Sequence, residues 1–526
     1  MASSPTDSIA APSDQPHLST NTNQPAAQAW DPLNGLALEV VHLSATPRYF
    51  KSAANSTQIR QAIASHLDSD RDLCNFRRVS HSTNEAVDHD NYSFWRRRFM
   101  ATFEKPSWSS KPNVEYKRQY QRRKTALLYG ARFDLAIRFA HAKEIPRSIR
   151  ALEVLKELLL EAHSNQRETL QDTIYTSANI EHVKKFLQNH GLLNQIFTSD
   201  YTREHRRQVI AIPKELLQTV QVLLAPAMFD AKYSNDIIGF PQSQQVVYST
   251  VLDQPIFGGC NSLDVNTEWV LHNLNFWRYH MLRESEATLA FAFKDLERDE
   301  LPRFWRKRLT HGGGDSLGKH WKGSYAYVGR EDIGDIRAGE GAVTPIVDEF
   351  NGDDKFGTGA FQDLQLSLVD DEAVLWPPSF EEALNSLVIP ECRAKTRAQK
   401  RSAAPDSIAA FKPQNFQFKG EGSDNTEDFN ALGWLNALPP QHDVPGWQRM
   451  TMMKYFQDPD TGLIDEAALW AYEGVVLPGG QIIVGRWWCV DDGVGEDQYS
   501  GPFILWCVDG PRYPKKDSVL NEDDLP

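Results

Sequence analysis

The sequence predicts a multidomain α+β protein, helical through its first part and built of short antiparallel strands toward its end. Three observations carry that expectation. At 526 residues the chain exceeds what one ordinary core accommodates, and at roughly 100 to 200 residues per domain it should fold as several units. Apolar residues recur at three- and four-residue spacing from about residue 55 to about residue 285, the period of amphipathic helices. Near residue 312 the apolar runs shorten and glycines separate them, which is how an antiparallel barrel or sandwich reads.

Composition narrows the class. With 41% hydrophobic and 24% charged residues the chain resembles an ordinary globular protein. Residues 1–32 are rich in Ser, Pro, Gln and Asn, lack an apolar signal core and read as a disordered tail. No run approaches the ~18 to 20 continuous apolar residues of a membrane span. Cys74, Cys260, Cys392, Cys489 and Cys507 are scattered and never paired as C-x-x-C, so neither a disulfide framework nor a zinc site is expected. A reducing compartment, cytoplasm or nucleus, fits, and no cofactor or metal is implied.

The first helical module is expected within residues 33–110. Ile59, Ala62, Ile63, His66 and Leu67 share one helical face, with Asn55 and Gln58 as a capping pair. "DSDRD" (68–72) supplies a turn and a new cap. A second helix then carries Leu73, Phe76 and Val79, and a third begins near "STNEAV" with Ala86 and Val87 inward. An irregular helical domain follows over 111–311, with "SIRALEVLKELLLEAH", "IEHVKKFLQNHGLLNQIF", "PKELLQTVQVLLAP" and "TEWVLHNLNFWRYHMLRES" as its long segments and no fixed repeat.

The β-domain is expected over 312–510. Its strands are "GSYAYV", "AFQDLQLSLV", "QRMTMMKYF", "LWAYEGVVL", "GQIIVGRWWCV" and "GPFILWCVD", and "LPGG" is a hairpin signal. A polar insertion at about 377–411 contains the basic "RAKTRAQKRSAAPDS", and residues 511–526 form an acidic tail.

In order and spacing, Ile59, Ile63, Leu67, Asp72-Leu73, Val79-Ser80 and Trp95 resemble the F-box. The family's usual L-P start would fall at Asn55-Ser56, which lack the apolar character. "LALEVV" (36–41) resembles that start with alanine for proline, so the module would carry an insertion between about 43 and 55. The resemblance implies docking onto a Skp-family adaptor and, through it, a cullin-based ubiquitin ligase. Ile59, Ile63, Leu67, Leu73, Phe76, Val79 and Trp95 would be the adaptor-binding set, each serving either the partner contact or the module's own core.

At the other end, "YEGVVLPGGQIIVGRWW" (472–488) and "YSGPFILWCVD" (499–509) resemble the closing strands of a group of fungal F-box proteins with a C-terminal barrel-like domain. "HWKGSYAY" near 320 would supply the first strand of that domain. The resemblance implies a non-catalytic receptor that presents an unknown protein substrate. Trp321, Tyr325, Arg486, Trp487, Trp488 and Trp506 are the candidate substrate-binding residues, the tryptophans serving core or pocket.

Two other classes compete. Between residues 96 and 150 fifteen Lys/Arg face four Asp/Glu, while the whole chain carries −14. "FWRRRF" and "EYKRQYQRR" interleave aromatics with that charge as nucleic-acid binders do. Tyr116, Tyr120 and Leu127 also fit the apolar stripe of a helix with a solvated charged face, and that reading makes nucleic acid the lesser expectation. "HGGGDSLG" (311–318) contains an HGGG string and G-x-S-x-G around Ser316. In hydrolases those are separate elements, and no histidine follows His442, so a chance glycine-rich loop is the better reading.

Overall fold

The computed structural model describes residues 53–88, 90–108, 110–130, 133, 145–163, 165–168, 173–196, 212–233, 237–259, 263–284, 288–309, 317–339, 349–350, 361–369, 415–423, 427–457, 461–465, 468–490 and 498–509. The terminal tails, "LALEVV", the polar insertion and Ser316 lie outside these residues. The chain divides into two compact units between Phe94 and Trp95.

Among the described residues the first unit contains three α-helices, α1 (Ala53–Ser65), α2 (Asp70–Val79) and α3 (His81–Asp88), followed by a short 3-10 turn at Asp90–Tyr92. Ser69 caps α2 by accepting the Asp72 N–H at 3.0 Å, the role expected of the "DSDRD" turn. Helix α3 contacts both α1 and α2 and buries Thr83, Ala86 and Val87, while Leu73 is the buried residue of α2. Arg77 Nη2 meets Asp88 Oδ2 at 2.6 Å and ties α2 to α3. Two details depart from expectation. Helix α1 begins at Ala53, so Asn55 lies inside it and is not its cap. Its buried side chains are Gln61 and Ala64, whereas Ile59 and Ile63 face solvent. The small Ala64 permits close helix approach on its own side, which leaves the branched side chains outward.

The second unit pairs a helical layer with a barrel. Its helices are α4 (Ser93–Thr102), which starts at the division, α5 (Asn113–Tyr129), α6 (Ile145–Glu161), α7 (Ala178–His190), α8 (Lys214–Leu223), α9 (Ala225–Met228), α10 (Phe240–Tyr248), α11 (Thr267–Leu282), α12 (Thr288–Asp295) and α13 (Arg330–Ala338). Two short hairpins sit among them, β1 (Asn165–Glu168) with β2 (Thr173–Thr176), and β3 (Phe257–Gly258) with β4 (Asp264–Val265). Each long segment read as helical carries one of these helices, although α7 stops at His190, where Gly191 takes a left-handed backbone (φ 63°) and ends it before residues 192–196.

Buried polar groups knit the layer. Glu104 accepts the Ser177 hydroxyl at 2.6 Å and the His163 N–H at 2.7 Å, joining three segments distant in sequence. His182 packs against Phe103 with the rings tilted and their centroids 4.9 Å apart, and donates Nε2–H to the Thr102 carbonyl at 3.1 Å. Burial holds this imidazole below its ordinary pKa. Helix α11 is buried around nearly its whole circumference, as a central helix must be. Its buried Arg278 donates to the Leu193 and Asn194 carbonyls and to Asn275 Oδ1, and burial lowers its guanidinium to about 9.

The barrel strands are β5 (His320–Tyr327), β7 (Gln362–Val369), β8 (Asn415–Ser423), β9 (Asp428–Ala437), β10 (Gln448–Tyr455), β11 (Trp470–Val476), β12 (Ile482–Cys489) and β13 (Ser500–Cys507), with the short β6 (Glu349–Phe350) added to the end of β5. Each of the eight pairs antiparallel with the next, and β13 pairs back onto β5 from Phe503↔Tyr325 to Cys507↔Trp321. The architecture is therefore a closed up-and-down barrel, not a sandwich. At Leu477–Gly480 the expected hairpin forms, with Gly479 at φ 93° and Gly480 at φ 64°, a backbone that glycine adopts without strain.

The strand period of two sends alternate residues into the lumen, where Trp321, Leu364, Phe418, Leu435, Met450, Tyr472, Ile483 and Phe503 pack together. A second cluster, with Met453, Tyr455, Ala471 and Trp488, lies on the outside of the wall. Helix α11 covers β12: Asn273 Nδ2 donates to the Gly485 carbonyl at 3.1 Å, and the Arg486 guanidinium lies 5.3 Å from the Trp269 ring.

Strands β8 and β9 escape a hydrophobic-pattern reading because Gly420, Gly422 and Gly433 sit among their inward-facing positions. At Gly433 a Cβ would stand 2.4 Å from the Phe418 ring, so the neighbouring strand supplies the bulk that the pattern lacks.

Two outcomes follow from this packing. A Cβ at Gly485 would lie 2.2 Å from the Glu473 carbonyl oxygen and 2.4 Å from the Phe503 ring. Gly485→Val should cost about 3 kcal/mol or more in denaturant unfolding, or prevent recovery of folded protein. For His182, the folded pKa lies below the unfolded one, so the native state holds fewer protons as pH falls past about 6.5, and stability drops in that window. The melting temperature should fall between about pH 7 and about pH 5, and His182→Gln should fall less, since glutamine keeps a donor for Thr102 without taking up a proton.

Candidate functional site

Two surfaces combine side chains that the fold leaves available. On the first unit, Ile59 is 42% exposed, Ile63 48% and Val79 68%. Leu67 and Phe76 are half-buried and Leu73 is buried, so the adaptor-binding set divides into outward and inward members. Trp95 belongs to the second unit, where it is buried against Tyr120 at 5.7 Å with Lys117 over its ring. It serves as core there.

The second surface is one end of the barrel. Trp487 projects into the lumen, donates Nε1–H to the Ala326 carbonyl at 3.1 Å, and meets Trp470, Tyr499 and Tyr325 edge-on at 5.3, 5.4 and 6.3 Å. Tyr325, Trp470, Tyr499 and Phe456 are half-buried and stand against the lumen core. Lys454 lies among them, with its Nζ 4.2 Å from the Phe429 ring centre, 5.0 Å from Tyr325 and 5.5 Å from Phe456. Only 4% of its surface is exposed. Sequence reasoning named Tyr325 and Trp487 and missed Lys454. The signal was present in "QRMTMMKYF", where Met450, Met452 and Lys454 share a face at period two.

Of the other candidate substrate-binding residues, Trp321 is a lumen core residue, its Nε1–H donated to the Gly318 carbonyl at 2.8 Å. Arg486, Trp488 and Trp506 face outward and are fully covered, which corrects their placement in a pocket. Arg486 lies beneath α11, where burial lowers its guanidinium to about 9. Trp488 belongs to the outer cluster. Trp506 donates to the Glu300 carbonyl and packs on Phe361 at 5.2 Å. Their bulk joins the barrel to its surroundings.

Outside the wall of β5, β7, β8 and β9 runs an open groove of about 1120 Å³, lined by Glu300, Asp363, Glu421 and Asp428 among others. Lys322 Nζ bridges Asp363 at 2.8 Å and Glu300 at 3.6 Å within it. Among the described residues no group of three or more His, Cys, Asp or Glu side chains is placed to hold a metal ion, and no helix is long and apolar enough to cross a membrane.

The basic segment turns part of its charge inward, while Arg96, Arg97, Lys105, Lys111, Arg118, Arg147 and Arg150 are exposed. Arg122 pairs with Glu157 at 2.7 Å and Glu153 at 3.2 Å, and the buried Arg123 pairs with Glu161 at 2.9 Å beneath the rings of Phe99 and Phe103. Burial pushes the Glu161 carboxyl up while Arg123 draws it down. Tyr116 and Tyr120 are buried and Leu127 half-buried, the stripe their spacing suggested. The acidic partners come from α6, just beyond the basic stretch in sequence.

No protein-family model matches the chain, and neither does any curated protein or solved structure.

Neutralising Arg123 should leave Glu161 buried without its partner. Arg123→Met is expected to lower the unfolding free energy by about 3 kcal/mol in denaturant titration, and the double change with Glu161→Met should restore most of it.

Proposed function

We propose that the chain is the substrate-recognition subunit of a cullin-based ubiquitin ligase, docking a Skp-family adaptor through its first unit and presenting a target protein through its barrel. The observation that carries this reading is the outward placement of Ile59, Ile63 and Val79, three members of the set that resembles the F-box. Apolar side chains left in water on short helices gain about 25 cal/mol per Å² when a partner covers them. The half-buried ring system of the barrel end provides a second, separate surface suited to a target. No group in this reading performs chemistry. The receptor raises the local concentration of a target lysine beside the conjugating enzyme.

For the competing nucleic-acid reading, Arg122 and Arg123 are committed to Glu153, Glu157 and Glu161, which leaves it the exposed Arg96, Arg97, Lys105, Lys111 and Arg118.

Co-purification of the full chain with a Skp-family adaptor is the test. Ile63→Asp with Val79→Asp should abolish capture while leaving the melting temperature within a few degrees, because both sites are exposed. Equal capture by wild type and the double variant, or none by either, would overturn the proposal.

A further inference from the structure

The groove outside the barrel wall carries a charge pattern that adaptor docking does not use. Its floor is the outer face of β7, β8 and β9, whereas the helices α10 and α11 pack on β13 and β12. Asp363, Gln365, Glu421, Ser423 and Asp428 are exposed on that face. Strand register fixes their spacing. Asp363 pairs with Ser423 and Ser423 with Asp428, while Glu421 pairs with Gln365 one row along. With strands about 4.8 Å apart and rows about 6.6 Å apart, the three carboxylates stand about 8 to 10 Å from one another.

Seven of the described lining residues are Asp or Glu and one is Lys. That lysine shows how the groove takes a cation, because Lys322 Nζ bridges Asp363 at 2.8 Å and Glu300 at 3.6 Å. Asp509 is engaged as well, its carboxylate accepting the Lys319 and His320 N–H groups. Glu421 and Asp428 face solvent.

This spacing discriminates among cations. Among the described residues no three His, Cys, Asp or Glu side chains are placed to hold a metal ion, and carboxylates so far apart cannot share one. In an extended chain, side chains two residues apart point the same way at about 7 Å, close to the carboxylate spacing. Cations at alternate positions of such a chain each reach one carboxylate, and a groove of about 1120 Å³ holds several residues. Each exposed ion pair is weak by itself, so affinity rises with the number formed and falls with salt.

We propose that this groove binds a lysine- or arginine-rich segment of another protein, held extended with cations at alternate positions. Glu421 and Asp428 take two of them, and Lys322 competes for a third at Asp363. No residue of the first unit enters the site, so the proposal stands without adaptor docking. The chain carries a run of the same kind, with Arg393, Lys395 and Arg397 between β7 and β8 in sequence, and the test separates it from a partner.

Fluorescence anisotropy with the full chain at low salt is that test. The probe is a labelled nine-residue peptide alternating lysine and alanine, and the control peptide has glutamine for each lysine. The lysine peptide should bind at least about 10-fold tighter than the control and weaken by about 10-fold between about 50 and 250 mM salt. Glu421→Gln with Asp428→Asn should weaken it by about 5- to 10-fold. Glu181→Gln with Glu215→Gln makes the same charge change at exposed sites on α7 and α8 and should leave binding within about twofold. Lys322→Gln should tighten binding by about threefold, because Asp363 and Glu300 are released.

The proposal is overturned if the lysine peptide does not bind, or if the glutamine peptide binds within about twofold of it. It is also overturned if the groove pair binds as the wild type does, if the control pair weakens binding equally, or if folded Lys322→Gln binds more weakly. Binding that appears only once Arg393, Lys395, Arg397, Lys400 and Arg401 are changed to glutamine assigns the groove to the chain's own segment and overturns a separate partner. Should Lys322→Gln fail to fold, the exposed Glu421 and Asp428 still decide. Ile63→Asp with Val79→Asp should leave these titrations unchanged, so failure here and failure of adaptor docking are separate results.

Discussion

The pairing of β13 with β5 is the constraint on which the second unit depends. It joins Phe503–Cys507 to Trp321–Tyr325, segments about 180 residues apart, and converts an open eight-stranded sheet into a ring without edges. An open sheet would expose two rows of unpaired backbone donors and acceptors and would leave Phe503, Leu505 and Trp321 without a common interior. Such long-range closure is slow to form, because chain entropy is lost before the contacts repay it. In the folded state the helical layer holds the outer wall of the closed ring: α11 contacts β12, and α10 contacts β13.

That layer places several buried polar groups on its central helix. His272, Asn273, Asn275, Arg278 and His280 all lie on α11, a helix with almost no solvent-facing side. Apolar residues alone would pack such a helix but would not fix its rotation. A guanidinium that finds the Leu193 and Asn194 carbonyls, and an amide that finds the Gly485 carbonyl, permit one orientation. The outer wall of the barrel is thereby registered against the helices by hydrogen bonds, with the tryptophans filling the space between.

Much of this was legible in the sequence. Helical periodicity located α6, α7, α8 and α11, and the Ser69 cap and the Gly479-Gly480 turn were visible as local chemistry. What escaped shares one cause: the pattern records which residues are apolar and leaves open what they pack against. Ile59 and Ile63 form a proper stripe, yet the stripe faces water. Trp487 and Trp488 are adjacent and equally aromatic, yet one enters the lumen and the other the outer wall. Strands β8 and β9 carry glycine where a pattern demands bulk, and Lys454 carries charge where it demands an apolar side chain. Closure of the ring assigns each of these positions to a face.

The glycines of the lumen give the barrel a direction in which it can vary. At Gly433, Gly485 and Gly501 an added Cβ would strike a backbone carbonyl of the facing strand, at 2.3, 2.2 and 2.2 Å. Backbone cannot move aside as a side chain can, so the interior cannot be tightened at these places. Trp470, Tyr499 and Phe456 are half-buried at the rim, and shortening any of them removes atoms without moving a strand. Divergence of this domain is therefore one-sided: the space at its end can widen through changes at the rim while the girdle beneath stays fixed.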